Sequence, residues 1–167
     1  TLLHSTVQHV DLQGDIAWVE VCTGHDPVRQ VRFFRQTNRG WVHTAPRAAF
    51  WKDPIKRVYG RVTFQYHERD LPYILPLIEH AADVFDEICI VLECPPDSAL
   101  EVNFVPDKLS ISSGDKLTLP SPWLSGIPVK GTWDKEYLDE LTYWVACAAV
   151  LQSTCFPHLI WSDDAFC

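Results

Sequence analysis

Apolar and polar positions alternate through the first part of the chain and later switch to a helical period. From His9 to Leu12, across Gln13-Gly14-Asp15 and on through Ile16-Ala17-Trp18-Val19-Glu20-Val21-Cys22, the step is two residues, with Ala17, Val19 and Val21 on one face. Successive strand side chains point to opposite faces of a sheet, so this segment predicts a β-hairpin closed by a tight turn. Gly24-His25-Asp26-Pro27 breaks the chain, Val28 to Gln36 is a second β-rich run, and Thr37-Asn38-Arg39-Gly40 turns it into Trp41-Val42-His43-Thr44. Two linked hairpins make an antiparallel meander. The stretch from Ala45 to Pro54 has a proline near each end and no sustained alternation, and a module boundary is placed there.

Alternation resumes from Val58 to His67, which predicts one strand. A long helix follows: Asp70 stands at its cap position, and Leu71, Ile74, Leu75, Ile78, Ala81, Ala82, Phe85, Ile88, Cys89 and Leu92 recur at three- and four-residue spacing. Cys94-Pro95-Pro96-Asp97 stops it. Leu100, Val102 and Phe104, then Leu117 to Leu119, predict short strands around a polar Ser110 to Asp115 turn, and Pro120 to Gly131 reads as loop. A second amphipathic helix is expected from about Asp134 to Ser153, and the tail from Thr154 to Cys167 has no clear period. The resulting expectation is an α+β protein, an antiparallel β-meander over residues 1–50 followed over 55–167 by a small sheet packed on two amphipathic helices.

Composition narrows the function classes. The 167 residues carry 14 Lys plus Arg against 22 Asp plus Glu, a formal net charge of -8, which leaves little field for holding nucleic acid or an anionic lipid surface. The longest apolar run, Trp144 to Leu151, is far short of the roughly 20 residues a membrane-spanning helix needs. The chain begins at Thr1 and contains no Met, so a processed product or fragment is expected. Cys22, Cys89, Cys94, Cys147, Cys155 and Cys167 form no CxxC pair, which argues against a zinc knuckle or a thioredoxin-type motif. A chain of this length does not need staples, so mostly free, buried thiols are expected, with Cys147 in the core and Cys167 the most reactive; three disulfides in an oxidising compartment are the alternative.

Candidate chemistry centres on Asp139-Glu140-Leu141-Thr142-Tyr143. Helix positions i and i+4 share a face, so 139 and 143 stand where the two His of an H-E-x-x-H zinc site would stand, and Glu140 stands where its general base would. In the order of its elements, the segment from Arg61-Val62-Thr63-Phe64-Gln65-Tyr66-His67 through the long helix, Leu100 to Pro106 and this helix resembles the first half of a gluzincin (peptidase MA-like) domain, over about residues 57–153. With both His absent, the resemblance implies a degenerate, non-catalytic motif, since Tyr is a poor zinc ligand. Asp139, Asp163 and Asp164 could instead form an oxygen-rich site for Ca²⁺ or Mg²⁺, a weaker alternative, since such sites need six or more oxygens and no EF-hand spacing is present. The seven His form no ligand pair, although Glu79-His80 on the first helix could neighbour Glu140. No G-x-S-x-G, G-x-G-x-x-G or P-loop is present.

Residues 5–46, ending in Arg32-Phe33-Phe34-Arg35-Gln36-Thr37-Asn38-Arg39-Gly40-Trp41-Val42-His43-Thr44, look similar to the last strands of an NTF2-like cone fold. The two resemblances together imply part of a larger bacterial protein, extracytoplasmic or membrane-associated. Trp is mostly a core residue, yet Trp41, Trp51, Trp123 and Trp133 lie at strand ends or in loops and are candidate anchors for protein contacts. The expected function is a non-catalytic structural or protein-interaction module whose partners are other protein chains, with no cofactor, no metal and no catalytic residue. The competing expectation is a metal-dependent hydrolase using Glu140 as general base with Asp139 and Tyr143 at the ligand positions; small-molecule binding by the meander is a third.

Overall fold

The computed structural model describes residues 5–23, 28–107, 111–113, 115–128, 133 and 135–153. It is α+β. The meander consists of β1 (Ser5–Gln13), β2 (Ile16–Thr23), β3 (Val28–Thr37) and β4 (Gly40–Thr44), all antiparallel. β1 begins earlier than its alternation suggests, because the pairing shifts register between Val7 and His9. Such a bulge inserts an unpaired residue, here Gln8, so Val7 and Val10 project on one side despite an odd spacing.

The strand expected over Val58–His67 is two strands. β5 (Pro54–Tyr59) and β6 (Val62–His67) pair antiparallel with Tyr59 opposite Val62, leaving Gly60-Arg61 as a two-residue loop. Gly60 takes φ +55°, a left-handed conformation that glycine adopts without a Cβ penalty. The alternation runs through the turn unbroken, which hides it from a periodicity reading. After a 3-10 turn at Glu68–Asp70, α2 (Leu71–Val91) crosses back to β7 (Leu100–Val105), which lies parallel to β6. A parallel neighbour requires such a crossover. β8 (Ile111–Ser113) and β9 (Lys116–Pro120) complete a second sheet of order β5-β6-β7-β9-β8, and α4 (Lys135–Gln152) packs beside α2. The expected helix cap at Asp134 lies outside the described residues.

This second sheet has one strongly apolar face. Val62, Phe64 and Tyr66 of β6, Leu100, Val102 and Phe104 of β7, and Leu117 and Leu119 of β9 are buried against Ile74, Leu77, Ile78, Ala81 and Phe85 of α2 and against Leu141, Val145, Ala148 and Ala149 of α4. Asp70 does precede α2, but its side chain makes no capping bond.

The boundary expected at 45–54 is bridged rather than open. Ala48–Trp51 form a short helix, α1, and the segment expected as loop from Pro120 contains a helical turn, α3 (Pro122–Ser125), and a strand, β10 (Ile127–Pro128), which joins β3 beside Val28 and Arg29. Gly126 makes this return possible at φ +126°, where a Cβ would stand only 3.1 Å from Val28 Cβ. A second core forms between the units, with Trp18, Val31 and Phe33 from the meander, Phe50 and Trp51 from α1, and Trp123, Leu124 and Ile127 from the later segment. Phe50 is its hub, with ring centroids 4.9 Å from Trp51 and 5.4 Å from Trp18, Phe33 and Trp123.

Cysteine pairing departs from the expectation of mostly free thiols. Cys89 and Cys94 form a disulfide across the end of α2, and Cys147 is also disulfide-bonded. Cys22 is free. Cys89 and Cys94 are brought together by the helix ending itself: Glu93 turns left-handed at φ +51°, and the Cys94 amide bonds the Cys89 carbonyl at 3.0 Å. Cys155 and Cys167 lie outside the described residues.

Candidate functional site

α4 carries the residues singled out for chemistry and separates them. Asp139 is exposed, with its carboxylate paired to Lys135 one turn back. Tyr143 is 48% exposed and meets only the edge of its neighbour Trp144 among the ring contacts. Glu140 lies over a hollow of about 240 Å³ walled by Tyr137, Leu141 and Trp144 of its own helix and by Leu119, Pro120 and Ser125 across from it. The Tyr137 hydroxyl is pushed up to about 12, chiefly by burial; a bond to Ser125 opposes this and the Glu140 charge adds to it.

The expected nearness of His80 to this helix is real, with a structural use. Thr142 Oγ1 donates to the Leu138 carbonyl at 2.8 Å, so at 2.8 Å it accepts from His80 Nε2. The bond joins α2 to α4 within one helical turn of Glu140.

These residues do not fit a zinc ion. Zinc at neutral pH takes three or four convergent imidazole, thiolate or carboxylate donors. Here one carboxylate is engaged by lysine, the other faces a mostly apolar hollow, and the third position is a phenol. Among the described residues no three His, Cys, Asp or Glu side chains converge on a common point.

The four tryptophans divide. Trp51 is fully buried and Trp123 is 5% exposed, both in the core between the units, so they are corrected from contact anchors to packing residues. The physical reason is the bridging segment: α1 and α3 look like loop in the sequence and fold inward as helical turns. Trp133 is half-buried, stacked on Tyr137 at 4.5 Å and donating its indole N–H to the Tyr73 carbonyl at 2.8 Å. Trp41 alone of the four is on the surface, at 45% exposure.

Trp41 belongs to a larger open face. Directly paired strand residues project to the same side of a sheet, which places Val7 with Val21, Val10 with Val19, and Leu12 with Ala17, Phe34 and His43. Trp41 is two residues from His43 and shares that side. Val7 and Leu12 are 62% exposed and Val10 is 49% exposed. The opposite side of the meander, with Trp18, Val31 and Phe33, is the one closed by α1 and α3. An enclosed apolar pocket, which small-molecule binding on the face with Val10 would need, is not what this open face supplies.

A buried polar junction also lies between the units and has no motif to announce it. Ser121 Oγ donates to Asp70 Oδ1 at 2.6 Å and accepts from Trp51 Nε1 at 2.6 Å and from the Trp123 amide at 3.3 Å. Asp70 Oδ2 is buried without a hydrogen-bond partner. Burial raises the Asp70 carboxyl to about 6, held from rising further chiefly by the bond from Ser121. Arg69 and Arg29 lie over the surrounding rings, Arg69 at 4.1 Å from the Phe50 centroid and Arg29 at 5.6 Å from that of Trp123.

No family model, curated protein or solved structure matches this chain.

Proposed function

We propose that the chain is a non-catalytic protein-interaction module, a part of a larger extracytoplasmic or membrane-associated assembly, which docks another protein on the open face of the meander. The observation that carries this reading is the exposed apolar row of Val7, Val10 and Leu12 along β1, with Trp41 on the same side of the sheet but on β4, across β2 and β3. Apolar residues scattered singly on a surface are ordinary, whereas a contiguous group marks a contact. Its dimensions favour a helix of another chain. The row lies along β1 with Val21, Val19 and Ala17 beside it on β2, bordered on β3 by Gln30, Arg32 and Phe34, and Val7 to Leu12 runs about 17 Å, or three helical turns. The disulfide bonding of Cys89, Cys94 and Cys147 supports an oxidising compartment, because such bonds are rare where glutathione keeps thiols reduced. No helix among the described residues is long and apolar enough to cross a membrane.

Photo-crosslinking in the native host tests the reading. A photoreactive residue at Val10 or Leu12 is expected to capture one discrete partner, while the same residue at Val58, 67% exposed on the second sheet, captures none. Equal yields from both sheets overturn the docking face, as does capture only through the exposed backbone edge of β1. Stoichiometric zinc in the purified protein, with a peptidase activity lost in Glu140→Gln, would instead establish the hydrolase reading.

A further inference from the structure

The hollow beneath Glu140 has a chemistry that docking on the meander leaves unused. Tyr137, Glu140, Leu141 and Trp144 follow one another at steps of three, one and three along α4, so they share one face of the helix. That face closes over the end of β9 at Leu119 and Pro120, leaving about 240 Å³. Pockets for drug-sized ligands run from roughly 300 to 1,000 Å³, so this one suits a group the size of a single side chain.

The charge selects among such groups. Glu140 has no ion-pair partner among the described residues, since Lys135 on the same helix is taken by Asp139. An anion would meet both this carboxylate and a chain of net charge -8. A calcium ion needs six to eight oxygens, and the walls bring one carboxylate and two hydroxyls. A neutral apolar group would displace water from this exposed carboxylate without offering it a partner. A cation on an aliphatic stem satisfies every wall at once: the stem packs on Leu119, Pro120 and Leu141, and the ammonium meets Glu140 between the rings of Tyr137 and Trp144.

We propose that this hollow binds a primary alkylammonium group, presented as the lysine side chain of a peptide. It uses none of the residues of the open meander face and stands or falls separately from docking there.

The test follows the indole N–H signal of Trp144 by NMR, assigned by its loss in Trp144→Phe. The titrants are acetyl-Gly-Lys-Gly-amide, its neutral norleucine counterpart, and n-pentylamine. A saturable shift with the lysine peptide, weakened about tenfold or more with norleucine and by Glu140→Gln, is the expected result. If n-pentylamine matches the lysine peptide, the hollow reads the ammonium and its stem alone; if it binds more weakly, the peptide backbone contributes. Both outcomes support the site. Norleucine binding as tightly as lysine, no saturable shift with either amine, or unchanged binding in a folded Glu140→Gln overturns it. The comparison of lysine with norleucine uses the unaltered chain, so it remains decisive should either variant fail to fold.

Discussion

The two sheets solve the same problem to different extents. The second sheet turns Val62, Phe64, Leu100, Val102 and Leu117 toward α2 and α4, and each of these residues is at most 1% exposed. The meander closes the face with Trp18 and Phe33 against α1 and α3 and leaves Val7, Val10 and Leu12 49–62% exposed on the other. Among the described residues the meander therefore covers one apolar face and leaves apolar side chains of the other in solvent, the feature on which the proposed docking rests. Glu140 shows the same contrast in miniature: its helix packs against α2 on one side, and on another the exposed Glu140 carboxylate stands over a hollow.

The core that joins the sheets is where a single substitution should cost the most. Trp51→Ala removes the stack on Phe33 and the donor to Ser121, and is expected to lower stability by about 3–5 kcal/mol, read by urea denaturation. Because the core is shared, fluorescence and far-UV probes should report one coincident transition in the unaltered chain; two separate transitions would show that the units unfold independently.

The junction at Asp70 comes next. Its carboxyl titrates near 6 in the folded chain, above its ordinary 3.8, so the folded state binds the proton more tightly than the unfolded state does. The stabilisation is complete below about pH 4 and is lost as pH rises through 6, by on the order of 3 kcal/mol at about 1.4 kcal/mol per unit. Asp70→Asn should flatten this slope in denaturation midpoints measured from pH 4 to 7. A slope unchanged in that variant would assign the pH dependence elsewhere.

A smaller effect is expected from the disulfide at the end of α2. Cys94→Ser opens a short loop already closed by the helix ending, and chain entropy gives a loss of about 2 kcal/mol, measured under non-reducing conditions. The smallest belongs to the open face. Val10→Thr keeps the β-branched shape and should change stability of the isolated chain by no more than about 0.5 kcal/mol, as exposed positions do. A loss above 2 kcal/mol at Val10 would mean that this chain covers the face itself.

Much of the fold could be read from local period. Both long helices, the meander and the strands at Leu100 and Leu117 follow from spacing at 3.6 or 2 residues, since apolar positions must share a face to be buried together. The misread places are those where local pattern and backbone diverge. Gly60 turns the chain inside an unbroken alternation, the bulge at Gln8 disguises the start of β1, and Pro122-Trp123-Leu124 has the composition of a loop yet folds inward. Asp70 stands at a cap position and spends its carboxylate on Ser121, 51 residues away.

The sequence by itself therefore determined the α+β class, the order of the main elements and the acidic balance, because period and charge are properties of neighbouring residues. Only the tertiary structure decided that Trp51 and Trp123 are core, that Cys89 and Cys94 pair, that Val7, Val10 and Leu12 stand exposed on one side of the meander, and that Glu140 roofs a hollow where no metal-binding group converges among the described residues. Each of these depends on which distant segments meet, and burial, pairing and cavities are set by those meetings rather than by any one stretch of chain.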